Sequence, residues 1–360
     1  MNGTAVGTPQ TARPVDARQD AHPGPSRRRA SSRVGALVVA LFVLAAAVLA
    51  SLAIGSRPVP PLAVWHALTG GSVPAADAAA VVDLRLPRTV VGLLVGAALG
   101  AAGAVIQAVT RNPLADPGVL GVTSGAGFFV ALSIAFLGVT APAGYLWFAL
   151  TGAAVTTVAV FAIGSLGTGG PRPEQLLLAG MALSAVLAGV VSAIRLSDPR
   201  RFEALQVWEA GTLRDADWHV VLPALPLLVA GILLALVIGG PLNLLALGDD
   251  RATALGSSVT RTRITAIAAI TLLAGGATAL AGPIAFIGLM IPHVARRVMG
   301  PDQRWIVALS LLAAPVLLLA ADVAARLVAW PGEVPVGVVT AFLGAPVLIG
   351  LVRRGRLGAL

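Results

Sequence analysis

The residues that could do chemistry in this chain are arginines and a few carboxylates. All 25 basic residues are Arg, and the sequence contains neither Lys nor Cys. The lack of Cys excludes disulfides, thiolate nucleophiles and thiolate metal ligands. The lack of Lys excludes a Walker A phosphate site and a lysine Schiff base. We therefore expect no catalytic residue, no metal site and no cofactor in this chain.

One serine nevertheless invites comparison with an intramembrane hydrolase. Ser124 lies in the segment GVTSG at 121–125. A nucleophilic serine needs a base within hydrogen-bond reach. The chain has four histidines, His22, His66, His219 and His293. The predicted order of the spans places none of them clearly beside Ser124. We expect Ser124 to serve helix packing, which makes hydrolysis the weakest of the functional hypotheses.

Charged pairs mark two other places in the chain. Arg85 and Arg88 stand three residues apart, directly before the 22 uncharged residues 89–110. Asp322 and Arg326 are four residues apart, which places them on one face of a helix. A charge at the bilayer centre costs about 2.5–3.5 kcal/mol on insertion scales, so this pair is expected near an interface. It either forms a local salt bridge or directs Arg326 at a partner.

The polar segment 241–263 reads PLNLLALGDDRATALGSSVTRTR. Asp249, Asp250 and Arg251 open a short predicted helix, which Gly256 stops. Val259 is predicted to begin a second short element before the seventh span. Two interpretations stay open, because the segment is either a solvated connector or a docking element for a cytoplasmic partner. In the second interpretation, a groove on the partner takes the small apolar side chains of Ala252, Ala254 and Leu255.

Long uncharged stretches must position these residues. Hydrophobic residues make up 57% of the chain and charged residues 11%, about half the charged fraction of soluble domains. Since about 20 apolar residues cross a bilayer core, we predict an all-α polytopic membrane protein. The ten predicted spans lie at about 34–55, 89–109, two within 117–171, 175–194, 220–240, two within 264–299, 305–322 and 335–352. The turn at 138–145 and the pair Gly282-Pro283 divide the two double stretches.

Glycines and tryptophans add detail to this map. Gly92, Gly96 and Gly100 stand four residues apart in the second span, a spacing that lets another helix approach closely in lipid. The segment 203–218 mixes charges with two tryptophans. Because Trp favours the membrane interface, this segment predicts a short interfacial or re-entrant helix.

The distribution of arginine predicts the orientation. Ten crossings put both termini on one side, and if that side is cytoplasmic, the inner segments carry 17 arginines against eight outside, as the positive-inside rule expects. Residues 1–33 are interpreted as a disordered basic cytoplasmic tail. Residues 34–354 form the predicted membrane domain, with a loop at 242–259, and residues 355–360 form a second cytoplasmic tail. No basic patch with interleaved aromatics occurs, so nucleic acid is not an expected partner.

Four segments together resemble the FecCD-type permease subunits of ABC importers for vitamin B12 and ferric siderophores. They are LRLPRTVVGLLVGAALGAAGAVIQAVTRNPLADPGVLGVTSGAG at 84–127, LNLLALGDDRATALG at 242–256, GPIAFIGLMIPHVARRVMG at 282–300, and ADVAARL with EVPVGVVTAFLGAPVLIGLVRR within 321–354. The resemblance extends from about residue 34 to the end of the chain.

The resemblance implies a type II ABC importer permease of about ten helices with inverted-repeat-like halves. Such a subunit sits in the cell membrane with both termini in the cytoplasm and works as a dimer with a second copy or a homologous permease. Its other partners are a cytoplasmic ABC ATPase dimer, an extracytoplasmic substrate-binding protein and membrane lipid. The pathway follows the fifth and tenth helices, with a gate near 167–175. A ferric siderophore is the first choice of cargo, while haem and cobalamin stay open.

The resemblance also assigns residues at both membrane surfaces. Docking of the binding protein falls to Arg85, Arg88 and Arg326. Coupling to the ATPase falls to Asp249, Asp250, Arg251, Leu255 and Gly256.

A stand-alone secondary transporter coupled to H⁺ or Na⁺ is the alternative from another class. Such a protein needs Asp or Glu inside its spans, near the membrane midplane. No predicted span carries a carboxylate at its centre, and this disfavours the alternative.

Overall fold

The computed structural model describes residues 26–55, 57–139, 142–166, 173–199, 203–214, 216–329 and 332–353. Within these ranges the chain is helical and contains no strand. Most of the predicted tails, at 1–25 and 354–360, and most of the predicted gate segment 167–175 lie outside the described residues.

The described residues form 15 α-helices. The first eight are α1 Ser26–Ala53, α2 Pro61–Thr69, α3 Ala75–Ala79, α4 Leu86–Thr110, α5 Val122–Leu137, α6 Pro142–Gly164, α7 Pro173–Ser197 and α8 Glu203–Glu209. The others are α9 Trp218–Val237, α10 Gly239–Leu245, α11 Asp249–Ala254, α12 Val259–Ala281, α13 Ile287–Met299, α14 Gln303–Val328 and α15 Val336–Arg353. A π-helical segment, Ala80–Arg85, leads into α4, and a 3₁₀ turn, Pro117–Leu120, precedes α5.

Each of the ten predicted spans contains a helix, and seven of the described helical segments are long and apolar enough to cross a membrane. The helices Val122–Leu137 and Val336–Gly350 are apolar but shorter. The predicted eighth span is shorter than expected, because α13 has only 13 residues. At 1.5 Å per residue it covers about 20 Å, less than a bilayer core of about 30 Å.

Two helix starts differ from the prediction. The first helix begins at Ser26, eight residues before the expected start of the first span. Val259 does not open a separate short element, because α12 runs without a break from Val259 to Ala281. The predicted helix within 203–218 is present as α8, and its Trp208 is buried.

The predicted glycine seam of α4 packs against α14. A Cβ atom added at Gly96 would lie 2.5 Å from Pro315 Cα, and one at Gly100 would lie 2.5 Å from Ala314 Cβ. These distances leave no room for a side chain, so the two backbones touch as the small-residue spacing predicts. The contact fixes α4 and α14 as a central pair of the bundle.

The helices α5 and α13 both begin inside the bundle. Gln107, three residues before the end of α4, donates from Nε2 to the carbonyl oxygen of Leu289 at 3.1 Å. A Cβ atom added at Gly288 would lie 3.1 Å from Pro117 Cδ. The break before α5 and the break before α13 therefore meet beside α4. In both places a long helix is followed by a break and a shorter helix.

Candidate functional sites at the two ends of the bundle

A buried ion network occupies the end of the bundle where α4 begins and α14 ends, which we call the Arg88 end. Arg88 donates from Nη2 to Asp322 Oδ1 at 2.8 Å and from Nη1 to Glu333 Oε2 at 2.8 Å. Arg326 donates from Nη2 to the other Asp322 oxygen. Asp322 is fully buried, and Arg326 and Arg88 are 3% and 8% exposed. Asp322, Arg88 and Arg326 thus neutralise one another where they are buried, and Glu333, which is exposed, supplies the fourth charge at the edge of the network.

Arg85 and Arg326 also hold the end of α1. Arg85 donates from Nη1 to the carbonyls of Leu52 and Ala53 at 2.8 and 2.9 Å. Arg326 donates from Nη1 to the carbonyl of Ser51 at 2.8 Å. The last carbonyls of a helix have no partner within that helix, and cations there also oppose the negative end of the helix dipole. The two guanidinium groups therefore cap α1 and fix it against α4 and α14.

The predicted pair of Asp322 and Arg326 is confirmed as an ion pair four residues apart on α14. The role of Arg88 in the same network could not be read from the sequence, because it lies 234 residues from Asp322. Arg85, Arg88 and Arg326 are all buried. Their contact with a binding protein stays a prediction, and in this chain their donors are directed at internal acceptors.

A positively charged depression of about 460 Å³ opens above this network. Five arginines and one glutamate line it together with three uncharged residues. The lining residues are Arg57, Arg85, Arg88, Arg214, Arg326 and Glu333, with Gly55, Ala80 and Leu84. Arg214 and Arg57 are exposed, and Arg57 Nε also lies 3.1 Å from Asp77 Oδ1. Both belong to the eight arginines predicted on the outer side. They are the lining cations best placed to reach a partner.

The opposite end of the bundle, which we call the Asp249 end, presents the predicted coupling segment. Asp249 accepts from Arg263 Nη2 at 2.8 Å and pairs with Arg111, whose Nε donates to the carbonyl of Leu245 at 3.0 Å. These contacts attach α11 to the first turns of α12, which carry Arg263, and to the end of α4, which Arg111 follows. Asp249 is therefore an anchor for α11, and the loop is fixed in place by contacts on both sides.

The short helix predicted at this end is present as α11, and Gly256 ends it with φ +82°. Asp250 and Arg251 are exposed, and Leu255 is 60% exposed. Ala252 was expected to face a partner, but it is fully buried because it points from α11 into the bundle. The exposed apolar surface of this segment is accordingly Ala254 with Leu255.

A second contact stiffens the Asp249 end. Asn243 of α10 donates from Nδ2 to Asp302 Oδ1 at 2.8 Å and accepts from the backbone N–H of Gln303 at 2.8 Å. Asp302 also caps α14 by accepting from the backbone N–H of Arg304 at 3.1 Å. The α10 helix is thereby tied to the start of α14, which packs on α4. A displacement of the coupling segment would reach the centre of the bundle through these contacts.

Among the described residues, no group of three His, Asp or Glu side chains could hold a metal ion. The two ends instead offer an arginine-lined depression and a projecting short helix, joined by a bundle of membrane-length helices. A helical bundle with these features defines a polytopic membrane protein.

Comparison with known proteins agrees with this class. The FecCD transport family model matches residues 43–354, and the chain belongs to that family. The ferric enterobactin transport system permease protein FepD of Escherichia coli (strain K12) is 49% identical over 319 residues, covering 88% of this chain and 95% of that protein. The hemin transport system permease protein HmuU of Yersinia pestis is 37% identical over 279 residues, covering 76% of this chain and 83% of that protein.

A solved structure agrees as well. A metal-chelate type ABC transporter in an inward-facing conformation matches this fold with a TM-score of 0.77 and 27% sequence identity, over 89% of this chain and 99% of that chain. The resemblance noted from the sequence motifs is confirmed. The protein is a multi-pass membrane permease, and its relatives are permease components of ABC importers.

Proposed function

We propose that this chain forms the translocation pathway of an ABC importer that carries an iron(III)–siderophore chelate. The observation that carries the proposal is 49% identity to a ferric enterobactin permease over 95% of that protein's length. The lack of a Walker A lysine means that ATP hydrolysis belongs to a separate ATPase subunit. Haem and cobalamin, the cargoes of other relatives by name, are the competing cargoes.

The arginine-lined depression at the Arg88 end is the proposed docking surface for an extracytoplasmic binding protein. Arg57 and Arg214 form its exposed rim, and Arg85, Arg88 and Arg326 form its floor. A cavity lined by one sign of charge attracts the opposite sign and speeds association. An acidic side chain of the binding protein suits this depression, and its carboxylate would compete with Glu333 for the guanidinium groups.

The coupling segment at the Asp249 end is the proposed contact with the ATPase. Asp250, Arg251 and Leu255 are exposed on α11, and Asp249 holds the helix through Arg111 and Arg263. A short helix with a projecting apolar residue can dock in a groove. When the ATPase dimer closes on ATP, movement of that groove would pass through α11 to α12 and rock the permease between its two states.

The arrangement in the membrane follows from the same proposal. The Asp249 end and both termini face the cytoplasm, and the Arg88 end faces outward. One side of α7 leaves large apolar side chains bare, including Leu178, Met181 and Val186, each more than half exposed. Such a face suits the dimer axis, where a second copy or a homologous permease completes the pathway, while lipid covers the remaining apolar surface.

A secondary transporter is the second candidate function, and one observation favours it. Asp322 is a fully buried carboxylate within a membrane-length helix. It lies near the Arg88 end, however, and both of its oxygens are bonded to arginines. A coupling carboxylate must exchange a proton or ion during transport, and a carboxylate held by two permanent cations is poorly suited to that.

Reconstitution distinguishes these functions. The permease would be placed in liposomes with its ATPase and binding protein, and uptake of ferric enterobactin would be followed with and without internal ATP. An ABC importer takes up the chelate only when ATP and the binding protein are both present. Uptake driven by a proton or sodium gradient without the ATPase would reject the proposal in favour of the secondary transporter.

A further inference from the structure

A polar cavity lies in the wall of the bundle between α5, α7 and α8, apart from both ends. It has a volume of about 370 Å³ and is lined by, among others, Ser124, Gly127, Ser192, Arg195, Trp208 and Glu209. Ser124 was expected to serve helix packing, but its side chain is half-buried and lines this cavity. The cavity adjoins the bare apolar side of α7, so it borders the proposed pathway.

The cavity contains an incompletely bonded cation. Arg195 pairs through Nη2 with Glu209 of α8. Its Nε is buried and has no hydrogen-bond partner among the described residues. An unsatisfied buried donor costs about 1–3 kcal/mol, and ionisable groups within membrane helices usually mark a functional site. A ligand oxygen reaching Nε would remove this cost, whereas the ion pair with Glu209 alone leaves it in place.

The other lining groups suit the same ligand. Ser124 and Ser192 line the cavity from two different helices, and Trp208 supplies an aromatic wall. The Ser192 hydroxyl already donates to the carbonyl oxygen of Ala188 at 2.8 Å, so Ser124 is the serine donor for a ligand. Gly127 keeps the space open, since among the described residues the only heavy atom within 4 Å of a Cβ added there would be Glu209 Oε1 at 3.9 Å. Most ligand sites combine an apolar or aromatic wall with a few placed polar groups. This cavity is large enough for one arm of a chelate but not for a whole one.

We infer that this cavity is a transit subsite that binds an anionic oxygen group of the metal chelate as it passes along α7. This inference rests on the proposed function. Arg195 would donate to the anionic oxygen, the Ser124 hydroxyl would add a hydrogen bond, and Trp208 would contact the apolar part of the arm. Glu209 offsets part of the positive charge, so binding is weak enough for release, as transport requires.

The test uses the complete transporter with its ATPase and binding protein in liposomes, with ferric enterobactin as the probe. Gly127→Leu should fill the cavity and lower the uptake rate at least tenfold. The exchange Arg195→Glu with Glu209→Arg keeps the ion pair but moves the cation, and it should lower uptake about tenfold, as for a lost hydrogen bond to a charged group. Ser124→Ala should lower uptake roughly threefold.

Two matched variants control for side-chain changes as such. Gly35→Leu adds the same side chain to α1, at a glycine where an added Cβ would meet no atom of the described residues within 4 Å. Ser133→Ala removes a hydroxyl from α5 that, within the described part of the chain, donates to the carbonyl oxygen of Val130 in its own helix. Both should transport like the unchanged protein. In all the cavity variants, stimulation of ATP hydrolysis by the binding protein should remain, because docking and coupling occur at the two ends.

Normal uptake by Gly127→Leu and by the exchanged pair would overturn the subsite. Loss of uptake together with loss of stimulated hydrolysis in both of these variants would overturn it too, since the cavity would then serve the fold alone. Failure of the unchanged transporter to take up the chelate with ATP is a different result, because it rejects the proposed function itself.

Discussion

The two ends of the bundle use the same pairing of aspartate and arginine for different purposes. At the Arg88 end, Asp322 binds two arginines and no part of it is exposed. At the Asp249 end, Asp249 also binds two arginines, Arg111 and Arg263, but the side chain of Asp249 is 42% exposed. The first network is part of the buried core. The second is a surface fastening, meaning an exposed set of ion pairs that holds α11 in place while the other side of α11 stays exposed.

This difference changes how the charged residues should be interpreted. An arginine near a membrane surface can face a partner or can satisfy the carbonyls of a neighbouring helix. The structure directs Arg85 and Arg326 onto the end of α1, while Arg214 is exposed. The residues available to a binding protein are therefore distinguished by burial and not by residue type.

The largest expected effect comes from removing the shared carboxylate at the Arg88 end. Asp322→Asn leaves Arg88 and Arg326 buried with too little negative charge, and breaking a buried ion network in this way costs about 3–5 kcal/mol. Thermal unfolding of the purified permease in detergent should show a large fall in stability. Asp83→Asn, which neutralises an exposed carboxylate near the same end, is the control. Equal stability of the two variants would contradict the structural role of the network.

Much of the fold could be predicted from uncharged stretches and breaker residues. The ten segments, the close α4 contact at Gly96 and the short helix stopped by Gly256 each follow from a local pattern. Helix starts were predicted less accurately, because α12 begins at Val259, five residues before the uncharged stretch that predicted it. Arg261 and Arg263 interrupt the apolar run, yet they continue the same helix at the surface.

The candidate sites were less predictable because they depend on contacts between distant parts of the chain. Asp322 and Arg326 share one helix turn, so their pair could be predicted. The contact of Arg88 with Asp322 spans 234 positions and has no local pattern. The cavity beside Ser124 likewise needs α7 and α8 to bring Arg195 and Glu209 together. Sequence spacing gives no information about which distant helices meet.

The second prediction concerns the exposed side of the Asp249 end. Leu255→Asp places a charge where an apolar groove should receive Leu255, so stimulated ATP hydrolysis should fall at least tenfold while the permease stays folded. Leu62→Asp, at a residue of α2 that is 68% exposed, is the matched control at the other end. Normal stimulation in Leu255→Asp would show that α11 is a connector and not a coupling element.

A smaller effect is expected at the rim of the depression. Arg214→Glu reverses an exposed charge, so binding-protein affinity should fall roughly tenfold and depend less on salt, since a surface pair is worth about 1 kcal/mol and the reversed charge adds repulsion. Affinity can be measured by surface plasmon resonance on permease in nanodiscs. Arg251→Glu makes the same change at the opposite end and should leave affinity unchanged. If both variants bind normally, the depression is not the docking surface.

The smallest effect should come from the carboxylate that matches Asp322 at the other end. Asp249→Asn weakens the contacts with Arg111 and Arg263, but all three side chains keep some access to water or to other acceptors. Arg111 retains its bond to the Leu245 carbonyl at 3.0 Å, and exposed ion pairs are worth about 0–1 kcal/mol. Thermal stability should therefore change by less than about 1 kcal/mol, several times less than for Asp322→Asn.

ATP-coupled uptake should nevertheless fall in Asp249→Asn, because α11 loses its fastening to α12. If Asp249→Asn lowers stability as much as Asp322→Asn does, the two ends are equivalent parts of the core, and the contrast between a buried framework and a surface fastening is wrong.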